Sequence, residues 1–152
     1  MITLVVRKTI RATPERLFDA WAQPKQLRQW WGPDGVECAD AQVDLRVGGQ
    51  YRIANRFRDG RVVWITGQFD VIEPPHRLEY TWRVEPQTAW ERVSVRFERS
   101  PSGTDVVVTH ERIADERTRY THEQGWRECL DNLAELASEC WRLRESISRR
   151  PE

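Results

Sequence analysis

The sequence predicts an α+β fold: a curved antiparallel sheet wrapped around a long C-terminal helix, with two short helices after the first strand. Three observations predict it. Apolar and polar residues alternate with a period of two through much of the stretch from Val36 to His110, the mark of an antiparallel sheet with one covered and one wet face. From Asp115 to Ser148 there is no proline, and apolar residues recur at helical spacing. Between them and the first strand lie two proline-led segments, one carrying Leu17, Phe18 and Trp21, the other Leu27, Trp30 and Trp31.

Each element has its own justification. Ile2 to Ala12 is rich in β-branched residues and reads as a strand. Thr13-Pro14-Glu15 is a helix start, with an N-cap, a proline at the first helical position and an acid in the first turn. Gln23-Pro24 opens the second short helix, and Gly32-Pro33-Asp34-Gly35 ends it as a turn. Val36 to Val47 reads as a strand broken by Gly48-Gly49. Tyr51, Ile53, Asn55 and Phe57 alternate with Arg52, Ala54, Arg56 and Arg58, and Asp59-Gly60 is a hairpin turn leading into a return strand over 61–72. After Pro74-Pro75 come three more alternating runs, through Leu78–Val84, Glu91–Phe97 and Asp105–His110, the last two joined by Pro101-Ser102-Gly103. In the final helix Trp126, Leu130, Leu133, Ala137 and Cys140 share a stripe, interrupted only by Gly125, over about 30 residues or ~45 Å. A strongly bent sheet does not close flush on a straight helix, so a mostly apolar cavity between them is expected, with the segment near Trp30 and Trp31 as a lid.

Composition sets the class. At 152 residues the chain has the length of one ordinary domain, expected to span residues 1–148 with a frayed tail at 149–152. With 39% hydrophobic and 32% charged residues it reads as soluble and globular. Lys plus Arg and Asp plus Glu are 24 each, and the zero balance argues against nucleic acid as the main partner. There is no apolar run long enough for a membrane span, and Arg7, Lys8, Arg11 and Arg16 are unlike a signal peptide. The three cysteines fit no zinc spacing; Cys129 and Cys140, on one helix, stand too far apart for a disulfide, and reduced thiols in a cytoplasmic protein are expected. The eight tryptophans mark either a very aromatic core or an aromatic cavity wall.

Several motifs in order carry a resemblance: Trp30-Trp31-Gly32-Pro33, Asp44 to Gly49, Gly67 followed by Pro74-Pro75-His76-Arg77-Leu78, Thr81-Trp82, Gly103-Thr104, His110 and Gly125-Trp126. Together they resemble the domain named for homology to the activator of the 90-kDa heat-shock chaperone's ATPase, within the START-like (SRPBCC) helix-grip superfamily. The resemblance covers nearly the whole chain and implies a helix-grip fold. It implies less about function, since the superfamily holds lipid carriers, polyketide cyclases, hormone receptors and co-chaperones.

If odd positions of 51–57 and 91–97 and even positions of 78–84 and 104–110 face inward, the inner wall holds the polar residues Tyr51, Asn55, Tyr80, Glu91 and His110. Such groups are costly to bury unless hydrogen-bonded, so they form a network or meet the polar end of a ligand. Glu91 and His110 lie on adjacent strands, and an acid–imidazole pair is a usable general base, although a satisfied structural histidine is the commoner reading of His110 near a strand end. The expected ligand wall is Trp30, Trp31, Tyr51, Asn55, Tyr80, Trp82, Glu91, His110 and Trp126. Asp44 and Arg46 read as a structural ion pair on one strand face, and Arg52, Arg56, Arg58 and Arg61 as a solvated basic face without interleaved aromatics. His76, His110 and His122 sit on separate elements, so no metal and no cofactor is expected. The leading expectation is a binder of a small hydrophobic molecule, lipid-like or aromatic, rather than an enzyme. The alternatives are a cyclase-like enzyme using Glu91 and His110, and an interaction module, as a co-chaperone or a homodimer.

Overall fold

Among the described residues, seven strands and three helices follow one another as β1 (Ile2–Ile10), α1 (Pro14–Ala22), α2 (Pro24–Trp30), β2 (Val36–Val43), β3 (Gln50–Phe57), β4 (Val62–Glu73), β5 (Arg77–Val84), β6 (Glu91–Ser100), β7 (Gly103–Ile113) and α3 (Glu116–Ser148). This is a computed structural model; it describes the backbone of residues 1–148 and the side chains of residues 1–138. The expected tail at 149–152 and the side chain of Cys140 lie outside the described residues.

All strands pair antiparallel in the order β1-β7-β6-β5-β4-β3-β2, so the first strand returns to lie beside the last. The α+β helix-grip architecture is the expected one: a curled sheet holding α3, with α1 and α2 packed at one end. Thr13 accepts a hydrogen bond from the Arg16 amide at 3.2 Å, and Pro14 starts α1. The inward residues are those that alternation assigns: Ile53 and Tyr51, Leu78, Tyr80 and Trp82, Val93, Val95 and Phe97, Val106, Val108 and His110 are all buried. From α3, Trp126, Cys129, Leu130, Leu133 and Ala137 join them.

Two local readings are corrected. β2 ends at Val43, and Asp44 to Gly49 is a turn; Asp44 and Arg46 do pair, at 2.8 Å, but within that turn. The reason is backbone bonding: Gly49 donates to Arg46 O and Gly48 to Phe69 O, which folds the segment over the sheet. The basic face of β3 is also not free of aromatics. Arg52 lies over Trp64 at 4.2 Å and Arg61 over Phe57 at 4.7 Å, while Arg52 and Arg56 reach Glu85 and Glu37. The guanidinium groups occupy those ring faces, so the pattern is a paired strand surface.

The turn between α2 and β2 matters for the site. Asn132 of α3 donates from Nδ2 to the carbonyls of Trp30 and Gly32 at 3.3 and 2.9 Å, and Glu128 accepts from the Asp34 amide at 2.6 Å. Gly32 has φ +126°, and a Cβ there would lie 2.4 Å from the Val36 carbonyl oxygen. Only glycine turns the chain so tightly, and that turn places Trp31 and Pro33 over the sheet.

Candidate functional site

Five tryptophans meet between the sheet and α3. Trp30 packs on Trp21 at 4.8 Å, Trp21 stacks on Trp126 at 5.8 Å, and Trp31 touches Trp126 and Trp82 at 5.5 and 6.0 Å. Buried indole N–H groups need acceptors. Trp30 donates to Ala20 O at 2.9 Å, Trp21 to Tyr80 Oη at 3.1 Å, Trp31 to Asn55 Oδ1 at 2.9 Å and Trp126 to His110 Nδ1 at 3.0 Å. Trp82 alone of the five keeps a buried Nε1 without a partner.

Beside this cluster lies a cavity of about 240 Å³. Its sheet wall is Asn55, Phe57, Val63, Ile65, Trp82 and Val84, and its helix wall is Thr121, His122, Gly125, Trp126 and Cys129. Trp31, Pro33 and Val36 cover one end. The lining is apolar apart from Asn55, Thr121 and His122. A second void, lined by Trp21, Leu27, Trp31, Val43, Tyr51, Ile53, Phe69 and Tyr80, holds only about 20 Å³.

The structure therefore divides the nine residues expected at the ligand wall. Trp31, Asn55, Trp82 and Trp126 line the cavity. Tyr51 and Tyr80 line the small void instead; burial raises both phenol pKa values well above the usual tyrosine range, so they act as neutral hydrogen-bonding groups. Trp30 is 1% exposed and belongs to the core. Glu91 and His110 stand behind the wall, and His122 occupies the place expected of them.

Glu91 and His110 are brought together by register. His110 pairs with Val93 across β6 and β7, so Glu91, two residues earlier on the same face, lies diagonally opposite. His110 Nε2 and Glu91 Oε1 are 2.6 Å apart. The expectation that the histidines stay apart is corrected here. His122, one turn before Trp126 on α3, reaches the same Oε1 at 2.8 Å, and the two imidazoles stack at 4.5 Å. The sequence cue was available: His122 and Trp126 are four apart on one helix face, so a helix that buries Trp126 against β7 carries His122 with it.

The contacts fix the proton positions. Indole nitrogen is a donor only, so His110 Nδ1 must accept and its Nε2 must carry the hydrogen given to Glu91. Burial holds His110 below the usual histidine pKa, against the upward pull of its hydrogen bond to Glu91. Burial also pushes the Glu91 carboxyl up, but hydrogen bonds from His110 and His122 outweigh it and bring it to about 2. The two imidazole contacts thus favour the ionised form of Glu91 near neutral pH.

Among the described residues, Glu91, His110 and His122 are the group whose donor atoms, all within 4.8 Å of one another, could hold a cation. The surrounding chemistry does not fit one. A histidine bound to metal through Nε2 carries its proton on Nδ1, and Trp126 already donates to that atom in His110. Cys129, at the cavity wall, has its thiol pushed up to about 12 by burial, and burial raises Cys38 as well, so both shifts disfavour the thiolate. No described helix is long and apolar enough to cross a membrane.

Comparison with known proteins gives the same fold. A protein from Chromobacterium violaceum is 27% identical, with a TM-score of 0.83 over 89% of this chain and 96% of its own. The AHSA1 protein from Silicibacter pomeroyi is 28% identical, with a TM-score of 0.79 over 91% and 99%. An AHSA1-like protein from Aeromonas hydrophila is 25% identical, with a TM-score of 0.75 over 91% and 94%. No curated protein shows significant similarity to the chain. The sequence model described as activator of Hsp90 ATPase homolog 1-like protein matches residues 11–138, and the chain belongs to that family.

Proposed function

We propose that the protein binds a small, largely apolar, ring-bearing molecule in the cavity between β3–β5 and α3. The observation that carries this reading is Gly125. A glycine inside a helix costs about 1 kcal/mol relative to alanine. Such glycines are usually explained by close packing, yet a Cβ at 125 would meet nothing within 4 Å. What its missing side chain provides is space, since Gly125 lines the cavity. An apolar cavity of about 150 Å³ holds benzene. One of about 240 Å³ suits a molecule near two fused rings, and it is short for an extended lipid chain. The aromatic wall supplies affinity through buried area, and the spare Nδ2 of Asn55 with the ring of His122 fixes the polar end.

Titration calorimetry with 2-naphthol, and with palmitate as the long-chain contrast, tests this. Naphthol is expected to bind with a negative heat-capacity change, and palmitate not to bind. Gly125→Leu is expected to abolish naphthol binding in a protein whose far-ultraviolet circular dichroism is unchanged. Binding that survives Gly125→Leu undiminished places the ligand elsewhere and overturns the reading. The interaction alternative rests on the family description and is separated by an assay for ligand-independent stimulation of a purified chaperone ATPase.

A further inference from the structure

We propose that His122 is a general base at the cavity wall, acting on a small ring-bearing carbonyl compound with an acidic C–H beside its carbonyl. The inference rests on the binding reading above and adds a reaction to it. Four residues form a single hydrogen-bonded line: Trp126 to His110 at 3.0 Å, His110 to Glu91 at 2.6 Å, and His122 to the same Glu91 oxygen at 2.8 Å. Each step has a fixed direction. The indole can only donate, so His110 donates onward; an ionised carboxylate can only accept, so His122 also donates to it from Nε2.

In the neutral imidazole that leaves Nδ1 of His122 as the acceptor nitrogen, and no described group bonds to it. His122 lines the cavity, whereas Glu91 and His110 do not. The fixed chain therefore holds His122 at the wall of an apolar space of substrate size, and Glu91 stabilises the imidazolium that forms. Glu91 is a positioning residue here, and His110 with Trp126 holds it in place.

The same wall has donors without acceptors. Asn55 uses its Oδ1 for Trp31, which leaves Nδ2 free, and the buried Nε1 of Trp82 is unpartnered. Trp82 Nε1 has no surface open to the cavity, so the wall offers one base and one spare donor, Asn55 Nδ2, which together match an enolisable carbonyl group. His122 Nδ1 takes the proton from the carbon beside the carbonyl, the C–H electron pair becomes the C=C bond, and the carbonyl π pair moves onto oxygen, where Asn55 Nδ2 meets it. The imidazolium then delivers the proton to a conjugated carbon in isomerisation, or trades it for one from solvent water and returns that one to the same carbon in exchange. Atoms and charge balance without a reactant beyond solvent water.

The test uses 2-indanone and 2-tetralone in deuterated water with the full chain. Binding is read by calorimetry and deuterium uptake beside the carbonyl by proton NMR. Exchange is expected at about 100-fold or more above the same concentration of imidazole. His122→Gln should lose that rate while still binding the ketones. Glu91→Gln should lower it at least tenfold and convert the nitrogen-15 spectrum of His122 from one tautomer to a mixture, a change that a purely structural role would not produce.

Ketones that bind but exchange no faster in wild type than in His122→Gln overturn the inference and leave the binding reading intact. Naphthol binding without ketone binding does the same. If neither class binds, both fall. A nitrogen-15 spectrum of the wild type with the proton on Nδ1 of His122 overturns the inference without any substrate.

Discussion

The two halves of the interior, one under α1 and α2 and the other under the first turns of α3, share the same sheet and the same Trp31, yet one is filled and the other is open. The filled half carries Trp21, Leu27, Tyr51, Phe69 and Tyr80 around about 20 Å³, roughly one water. The open half has rings of its own, Phe57, Trp82 and Trp126, but adds the smaller Val36, Val63, Ile65, Val84 and Gly125 around about 240 Å³. The difference is one of side-chain size set on a common frame. Where two short helices send large rings inward, the bend of the sheet is filled. Where α3 turns a glycine toward it, the bend stays empty. The first half is packed, and the open space lies in the second.

The largest test of that contrast compares truncations in the two halves. Phe69→Ala in the filled half should cost about 3–5 kcal/mol, because a buried ring leaves a cavity that rigid neighbours do not close. Val63→Ala at the open wall should cost about 1 kcal/mol or less, since the space beside it is already empty. Denaturant midpoints at constant slope measure both. Equal losses at the two sites would mean that the open half is packed in solution.

Two indoles give the next comparison. Trp126→Phe strands the buried Nδ1 of His110 and should cost about 2–3 kcal/mol. Trp82→Phe removes an N–H that has no acceptor, and the loss of ring area is offset by the loss of an unsatisfied donor. Its stability should lie within about 1 kcal/mol of wild type. A Trp82 variant as damaged as the Trp126 variant would show that Trp82 Nε1 has a partner, and an ordered water is the first to look for.

How far the sequence reached follows the same division. Strand alternation and the stripe on α3 are periodic signals, and they located the buried faces of β3 and β5–β7 and the helix side that covers them. They also put Glu91 and His110 on one face, which is local register. The volume of the cavity was not legible, because it depends on how α1 and α2 lean against Trp31. Tyr51 and Tyr80 therefore looked equivalent to Trp82 and Asn55, though they close a different half. His122 was missed because its meaning arises only when α3 crosses β6 and β7, a contact that no period encodes.

The polar line responds to acid in a defined direction. Glu91 falls to about 2 in the folded protein, below its ordinary 4.5, because the hydrogen bonds from His110 and His122 outweigh burial. A depressed carboxylate contributes stability that is fully present above the unfolded value and is lost as pH falls through the folded one. His110, depressed by burial, adds a loss of the same sign that begins as pH drops below its ordinary 6.5. Unfolding midpoints should therefore fall between neutral pH and pH 5, and again below 4.5. In Glu91→Gln the lower step should shrink while the upper one remains. A midpoint that stays flat from pH 7 to 3 would mean that the line is broken in solution.

The smallest effect is the one that separates stability from space most directly. Gly125→Ala adds a methyl group to the helix without a collision, since no atom lies within 4 Å of where its Cβ would stand. Helix propensity alone then makes the variant more stable by about 0.5–1 kcal/mol. The same methyl takes up part of the cavity, so naphthol binding should weaken as stability rises. That opposition follows from a glycine whose missing side chain leaves room for a guest. A variant that gained stability and kept its affinity would assign Gly125 no part in the cavity. One that lost stability would show that α3 packs more closely there than its open wall implies.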